Sequence, residues 1–461
     1  MFRLPKDKEL TLELLDEFIG KHKQEVTERE EKLYKAYIGH HEILDAPKKA
    51  VYKPDNRLVC NFPKYSVDTM NGFFIGNPIK IDTDDEEVAE FVEFIDQYND
   101  QDDNNAELSK ICSIYGHGFE MYYADDDLNL CITYLNPMEA FMIYDDSIVE
   151  RPLYFVRRYT DYENNEWGSI SNSYGVRHFS ITGGIKWTDE DWIPHYFDGV
   201  PATEYIENGE RLGLFEPVMS MVNAFNKALS EKANDVDYFA DAYLKILGVK
   251  VDAEDTQHIR ENRIINFDGE EASRIIVEFM NKPENDTAQE NLLNRLETYI
   301  FLISMVANIS DENFGVSSGI ALQYKLLAMH NLAKTKERKF TSGMNRRYKI
   351  LFSHPKSKVP ADSWVKLHYK FTPNIPANML EEAQIAASVE GIVSKQTQLK
   401  VLSMVENVQE ELEKIEEETK AAEESAVERM MFATAAQAEM QEAQQGADQG
   451  ENEDMTDEQQ S

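Results

Sequence analysis

Cysteine is scarce: Cys60, Cys112 and Cys131 are the three in 461 residues. Scattered, odd in number and without a C-x-x-C pair, they exclude a disulfide framework and a cysteine-ligated zinc site, and they fit a reducing compartment. Long apolar runs are missing too. The longest, from Tyr299 to Ile309, falls far short of the ~20 residues that span a bilayer. The start, MFRLPKDKELTLELL, lacks the apolar core of a signal peptide, so a soluble, non-secreted chain is expected. Neither G-x-G-x-x-G nor G-x-x-x-x-G-K-[ST] occurs, and no nucleotide or other cofactor is expected. Positive charge is short: 47 Lys and Arg stand against 85 Asp and Glu, a formal net charge of −38. That balance argues against a protein that grips phosphate backbones by counterion release. It suits a duplex that slides past acidic walls across a screened gap of about 8 to 10 Å. Aromatic residues nearly vanish beyond Phe371, and from residue 401 onward 18 Asp or Glu face three Lys or Arg. The Gln-, Glu- and Ala-rich segment 429–461 has no apolar periodicity and is expected to be an acidic, disordered tail.

What is present is 42% hydrophobic and 11% aromatic, a globular composition long enough for two to four structural units. Leu10, Leu14, Leu15, Phe18, Leu33, Tyr34 and Tyr37 recur at helical spacing, giving an amphipathic helical region near the amino terminus. Residues 61–81 read as a short connecting element ending in Gly76-Asn77-Pro78. Helices are expected over 86–98 and 105–115. Beyond Gly116, runs of Tyr, Phe, Ile and Val at 119–123, 128–135, 140–144 and 153–159 read as an antiparallel sheet, with shorter strands to about Ile206. Pro217 opens a helix whose stripe is Met221, Phe225, Leu229, Val236, Ala240 and Tyr243. Short β-like runs follow at 263–267 and 274–279, closed by Pro283. A second helix, 287–309, carries Leu292, Leu296, Tyr299, Ile303 and Val306. After the polar break 310–319 comes another long helix, 320–352, within a basic stretch. Residues 325–358 hold ten Lys or Arg and one acid, Glu337. A strand at 364–371 and helices over 379–428 complete the reading.

Motifs for chemistry are weak. Gly315-Val316-Ser317-Ser318-Gly319 is formally G-x-S-x-G, but a helix and a polar spacer lead into it where a nucleophile elbow needs a strand. His41-Glu42 starts like a zincin motif with Asp45 in the second ligand's place, which leaves a solvated helix end. Asp125-Asp126-Asp127 opens like a calcium loop, yet Leu130 and Asn136 stand where glycine and glutamate are required, so a hairpin turn is expected. His117, between Gly116 and Gly118, reads as a turn residue. No catalytic constellation and no metal site is read, and the chain is expected not to be an enzyme.

Particular strings then carry a resemblance. NRLVCNFPKYSVDTMNGFFIGNPIKI at 56–81, IYGHGFEMYYADDDLNLCITYLNPMEAFMIYDD at 114–146, FEPVMSMVNAFNKALSEKANDVDYFADAYL at 215–244 and ENFGVSSGIALQYKLLAM at 312–329 resemble the portal, or head-to-tail connector, proteins of long-tailed bacteriophages of Gram-positive bacteria. Weaker similarity continues through YKFTPNIP at 369–376 and into 393–418. The resemblance implies an α+β portal fold assembled as a ring of twelve. Its divisions would be an N-terminal helical region at 1–55, a wing at 56–216, a first stem helix at 217–246 and a clip at 247–286. There would follow a second stem helix at 287–309, a tunnel loop at 310–319, a tunnel helix at 320–353, a wing return strand at 354–378 and a crown at 379–428.

The resemblance also implies a function: a channel at one capsid vertex through which double-stranded DNA is packaged and ejected. The partners implied are further copies of the chain, the terminase large subunit, a head-completion or adaptor protein, the scaffold and major capsid proteins, and DNA without sequence specificity. Assembly in the host cytoplasm, location in the virion and no membrane complete it. Asn313, Val316, Ser317 and Ser318 would line the channel at the tunnel loop. Apart from the resemblance, charge composition gives the basic stretch with Lys325, Lys334, Lys336, Arg338 and Lys339 two readings, a solvated or intersubunit face paired with the acidic surplus elsewhere, which composition favours, or a patch facing DNA phosphates. Two alternatives stand beside the portal reading, a serine hydrolase using Ser317 and a scaffold or tail component without a channel.

Overall fold

The computed structural model describes residues 2–50, 53–240, 244–247, 276–279, 286–309, 319–375, 379–402, 404–405, 408–422, 425 and 429. The chain divides into two compact units, 1–374 and 375–461, and the first contains every described strand.

Thr11 caps helix α1 (Leu12–Glu25), its hydroxyl accepting from the Leu14 amide, and the helix buries Leu15, Phe18, Ile19 and His22. The helix continues through a π turn, Val26–Glu30, into α2 (Glu31–Tyr37), which makes the expected N-terminal helical region. Ahead of it, β1 (Phe2–Arg3) pairs in parallel with a strand far along the chain. The expected connecting element at 61–81 is instead α3 (Phe62–Ile75) followed by β2 (Lys80–Asp82). Local chemistry explains the helix. The Asn61 side chain accepts from the Lys64 amide, Pro63 lies in the first turn where its missing N–H costs nothing, and Val67, Met70 and Phe74 share the buried face. Helix α4 (Glu86–Tyr98) matches expectation, and α5 (Gln101–Tyr115) starts at Gln101 rather than Asn105. Gly116 ends α5 at φ 84°, where a Cβ would also run into the Arg211 backbone.

The single antiparallel sheet suggested by the sequence is two sheets. Strands β3 (His117–Ala124), β4 (Leu130–Leu135) and β11 (Ala202–Ile206) form the smaller, in the order β11-β3-β4. The larger contains β1, β5 (Ala140–Tyr144), β6 (Pro152–Thr160), β7 (Glu166–Ser171), β8 (Gly175–Ser180) and β10 (Ile193–Pro194) in that order, with β9 (Lys186–Trp187) also on β8. Strand β5 shows why they separate. Its five residues are all buried, Phe141 and Ile143 against α1 and Ala140, Met142 and Tyr144 toward Phe119, Leu135 and Ala202 of the smaller sheet. The aspartate run does sit in the β3–β4 hairpin, with Asp125 Oδ1 accepting the amides of Asp127 at 3.0 Å and Asn129 at 2.7 Å.

A 3-10 turn, Glu216–Val218, leads into α6 (Met219–Ala240). The helix expected through 246 stops earlier, because Leu244–Leu247 is strand β12, paired antiparallel with β13 (Ile276–Phe279). Most of the compact segment expected between them, including 263–267 and Pro283, lies outside the described residues. Helix α7 (Asp286–Ser304) ends before Met305, whose φ of 59° is left-handed, and so does not reach Ile309. It runs antiparallel to α6. Phe62 touches Phe225 and Phe301 at one end, and Gln289 bonds Asp235 toward the other. The longest helix is α8 (Gly319–Ser353), 35 residues or about 52 Å. The strand expected at 364–371 is a 3-10 turn, Ser363–Lys366, and then β14 (His368–Lys370), which pairs with β2. In the second unit, α9 (Met379–Ser388), α10 (Lys395–Leu399) and a helical stretch at 408–422 fall within the helices expected there. Residues 430–461 lie outside the described residues.

Candidate functional site

Helix α8 carries most of the basic stretch, and its apolar spacing decides which charges face inward. Leu326, Met329, Ala333, Phe340, Met344 and Leu351 are buried at steps of three and four, and the two missing members of that stripe are Lys336 and Arg347. The Lys336 ammonium donates to the Ser109 carbonyl at 2.9 Å and the Ser113 hydroxyl at 2.5 Å, and it lies 2.8 Å from Glu207 Oε2. Neither carboxylate oxygen of Glu207 accepts a well-directed hydrogen bond, so that pairing is mainly Coulombic. Arg347 is fully buried. It donates to both oxygens of Glu120, at 2.7 and 2.8 Å, and to Asn105 Oδ1 at 2.6 Å. The Tyr122 and Tyr205 hydroxyls also donate to Glu120. Arg346 donates to the carbonyls of Val200 and Ala202, both at 3.2 Å. Next along the helix, the Tyr348 hydroxyl donates to Asp96, a carboxyl that burial pushes up to about 6 despite the nearby Arg347 charge.

These contacts fix α8 on α5, β3 and β11 through charged hydrogen bonds as well as apolar packing. Lys336 therefore points into the protomer, away from the basic face expected of it. Lys325, Lys334 and Arg338 are exposed and Lys339 half-buried, with Lys334 paired to Glu337 at 2.6 Å. The signal that separates Lys336 from the others is its place on the 326–329–333–340 stripe.

Tyr65 of α3 packs against the end of α7 and the residues just after it. The Tyr65 hydroxyl accepts from the Ile309 amide at 2.8 Å and donates to the Ala307 carbonyl at 3.2 Å, while its ring meets Phe301 edge-on. On the far side, Phe73 of α3 meets His330 of α8 edge-on. Helix α3 thus contacts residues 301–309 at and just after the end of α7 and His330 within α8. Asn313, Val316, Ser317 and Ser318 lie outside the described residues, and Gly319 is the first residue of α8.

The other histidines behave differently from expectation. His41, read as part of a solvated helix end, is 2% exposed, its Nδ1 accepting from the Asn226 amide at 2.9 Å. His117 is the first residue of β3, and its Nδ1 lies 2.9 Å from Glu204 Oε1. Burial raises the Glu204 pKa, but hydrogen bonds from Arg211 and His117 outweigh it and hold the carboxyl far below the usual range. Among the described residues, no group of three or more His, Cys, Asp or Glu is placed to hold a metal ion, and no helix is long and apolar enough to cross a membrane.

Residues 16–425 match the family described as "Phage portal protein, SPP1 Gp6-like". The chain belongs to this portal family. A portal protein of Clostridium phage phiCD119 is 24% identical over 415 residues, covering 81% of this chain and 87% of that relative. A chain in a solved structure, the neck of an empty GTA particle computed with C6 symmetry, is 13% identical and covers 80% of this chain and 92% of itself, at a TM-score of 0.46. Portal proteins are structural, head–tail connector components rather than enzymes as a class, and they work as ring oligomers with capsid and tail partners at a capsid vertex. In this portal protein the fold is α+β, with open sheets and the long helix α8 seated on them.

Proposed function

We propose that twelve copies of this chain close into a ring whose bore passes double-stranded DNA during packaging and ejection. In this reading 56–216 is the wing, α6 and α7 are the stem, 247–286 is the clip, 310–319 is the tunnel loop, α8 is the tunnel helix and 379–428 is the crown. The clip end docks the terminase large subunit during packaging and a head-completion or adaptor protein afterwards. The wing and crown face the capsid shell, with its scaffold and major capsid proteins, and the packaged DNA. Asn313, Val316, Ser317 and Ser318 meet the duplex, offering small polar contacts and no base readout. Assembly takes place in the host cytoplasm before incorporation in the virion.

The observation that carries this reading is the outer apolar stripe of α7, left exposed among the described residues. Leu292, Tyr299, Leu302 and Ile303 are exposed in the protomer, whereas Leu293 and Ile300 fill its own core. The stripe named from the sequence is largely the outer one. A helix that keeps a second apolar face is accounted for when a neighbouring copy covers it, and head-to-tail contacts that close on rotation give a ring. The buried ion pairs of Lys336 and Arg347, which anchor the middle of α8 to α5, β3 and the residues after β11, support reading it as a fixed tunnel helix. The test is negative-stain electron microscopy of the full-length protein with rotational classification of top views. Closed annuli with a hole wide enough for a duplex are expected. Compact monomers, rods or open chains of subunits would remove the channel.

A further inference from the structure

Helix α4 buries Val88, Val92 and Ile95 and turns Phe94 and Tyr98 outward, 51% and 46% exposed. The two rings sit one turn apart and stack, with centroids 5.7 Å apart and planes at 22°. The neighbouring hairpin holds the pair in place. The Tyr98 hydroxyl donates to Asp125 Oδ2 at 2.6 Å and accepts from the Asn129 side-chain amide at 3.2 Å. The side chain of the next residue, Asn99, donates to the Leu130 carbonyl and accepts from the Ile132 backbone amide, which fastens the end of α4 to β4. Between Asp125 and Asn129, in the turn, Leu128 is 52% exposed and has a left-handed φ of 63°. Single exposed apolar side chains are ordinary on a protein surface. Here a stacked pair and a third side chain stand on two elements that are bonded to each other.

The charge around them has one sign. Residues 81–150 hold 20 Asp or Glu and a single Lys or Arg, Lys110, which pairs with Glu107. Lys366 comes to α4 from far along the chain, but it pairs with Asp85 at the opposite end of the helix from Tyr98. Among the described residues, Glu90 and Glu93 on the Phe94 side, and Asp126 and Asp127 beside Leu128, are exposed and pair with no Lys or Arg. Apolar anchors on a fixed frame with an acidic rim make a surface for a partner of opposite charge. The anchors supply affinity at little ordering cost, and the rim steers approach and rejects acidic or phosphate-bearing molecules.

We propose that α4 and the tip of the β3–β4 hairpin bind a basic segment of another protein, one that rests an apolar side chain on Phe94, Tyr98 and Leu128 while its Lys or Arg side chains meet the carboxylates around them. Charge selects this occupant. The rim repels DNA, a small metal ion leaves the rings unused, and a second copy of the chain arrives with the same net charge of −38. A cationic side chain that lies over the stacked rings also gains cation–π attraction. The surface lies within residues 56–216, read above as the wing, and its partner chemistry is testable whether or not the ring reading holds.

The experiment adds a short labelled peptide of repeated Leu-Lys-Lys to full-length protein at low ionic strength, with a Ser-Lys-Lys peptide of equal length and charge as the control. Fluorescence anisotropy gives the affinity, and hydrogen–deuterium exchange locates the peptide. Saturable binding of the leucine peptide is expected, about tenfold tighter than the control, with protection at 86–98 and 124–130. Phe94→Ser, at an exposed position, is expected to weaken it about tenfold. Leu128→Gly suits the left-handed backbone, so it keeps the hairpin, and is expected to weaken binding about threefold. Binding that neither variant weakens, equal affinity for the two peptides, or protection confined to other residues such as the acidic 401–461 overturns the proposal. So does protection of 86–98 and 124–130 that arises when the protein assembles without any peptide, since a second copy is then the occupant.

Discussion

Arg347 and Glu120 are the most exacting pair in the molecule, with side chains 0% and 1% exposed. Two charges taken from water need each other, and removing one leaves the other stranded in a low dielectric. Arg347→Met is therefore expected to lose about 3–5 kcal/mol in urea unfolding, while Arg347→Met combined with Glu120→Gln recovers part of it. A single-variant loss under about 1 kcal/mol would contradict the pairing. His22 supplies a pH dependence. Its folded pKa of about 4 lies below the ordinary 6.5, so the unfolded chain takes up the proton first as pH falls. The stability this gives is complete above pH ~6.5, and it drains as pH drops toward ~4. Between pH 7 and 5 the wild type is expected to lose on the order of 2 kcal/mol that His22→Gln does not lose. Asp96, whose raised pKa acts in the opposite sense over part of that range, is present in both proteins and cancels from the difference. Parallel urea curves at the two pH values would refute the role given to His22.

At the scale of elements, the close crossing of α8 over β11 depends on Gly343, where an added Cβ would overlap the Tyr205 ring. Helix propensity alone favours Gly343→Ala by about 1 kcal/mol. The overlap is expected to reverse the sign to a net loss of about 1–3 kcal/mol, measured by thermal unfolding, because Tyr205 is held by Glu120 and has little room to move. A stabilised variant would show that the crossing is loose. Much of this layer is legible in the sequence, since period and caps announce α1, α4, α6, α8 and most strands. Three elements differ from expectation for physical reasons. Helix α3 escapes the sequence pattern because its glycines and its Asn61-Phe62-Pro63 start resemble a turn, although capping makes that start favourable. Helix α6 ends earlier than expected because β12 gains a cross-strand partner, β13, some thirty residues away in sequence. Helix α7 has two apolar faces, and spacing does not say which one its own protomer buries. At the candidate site, the basic composition of α8 is legible and the apolar stripe marks Lys336 as inward, but its partners Ser109, Ser113 and Glu207 are not, since they lie more than a hundred residues upstream.

For the whole molecule, a net charge of −38 and the exposed cations spread around one helix pull in opposite directions. On the channel reading proposed above, acidic walls favour sliding over gripping. Full-length protein is therefore expected to bind duplex DNA weakly, and the affinity should fall steeply as salt is raised. Replacing Lys325, Lys334, Arg338 and Lys339 together with Gln should flatten the dependence of log K on the logarithm of salt concentration, by about 0.9 for every phosphate no longer neutralised. The same variant should keep its urea stability within about 0.5 kcal/mol, because these side chains are not part of the buried stripe. Lys336→Gln is expected to behave in the reverse way, leaving the salt slope unchanged and reducing stability, since it strands Glu207 in the core. The two variants together separate a surface that meets DNA from a charge that holds the helix in place. If the fourfold variant keeps the wild-type slope and instead fails to assemble, the exposed cations belong to the seam between neighbouring copies. In that case the proposed contact with DNA would rest on residues 310–319 alone.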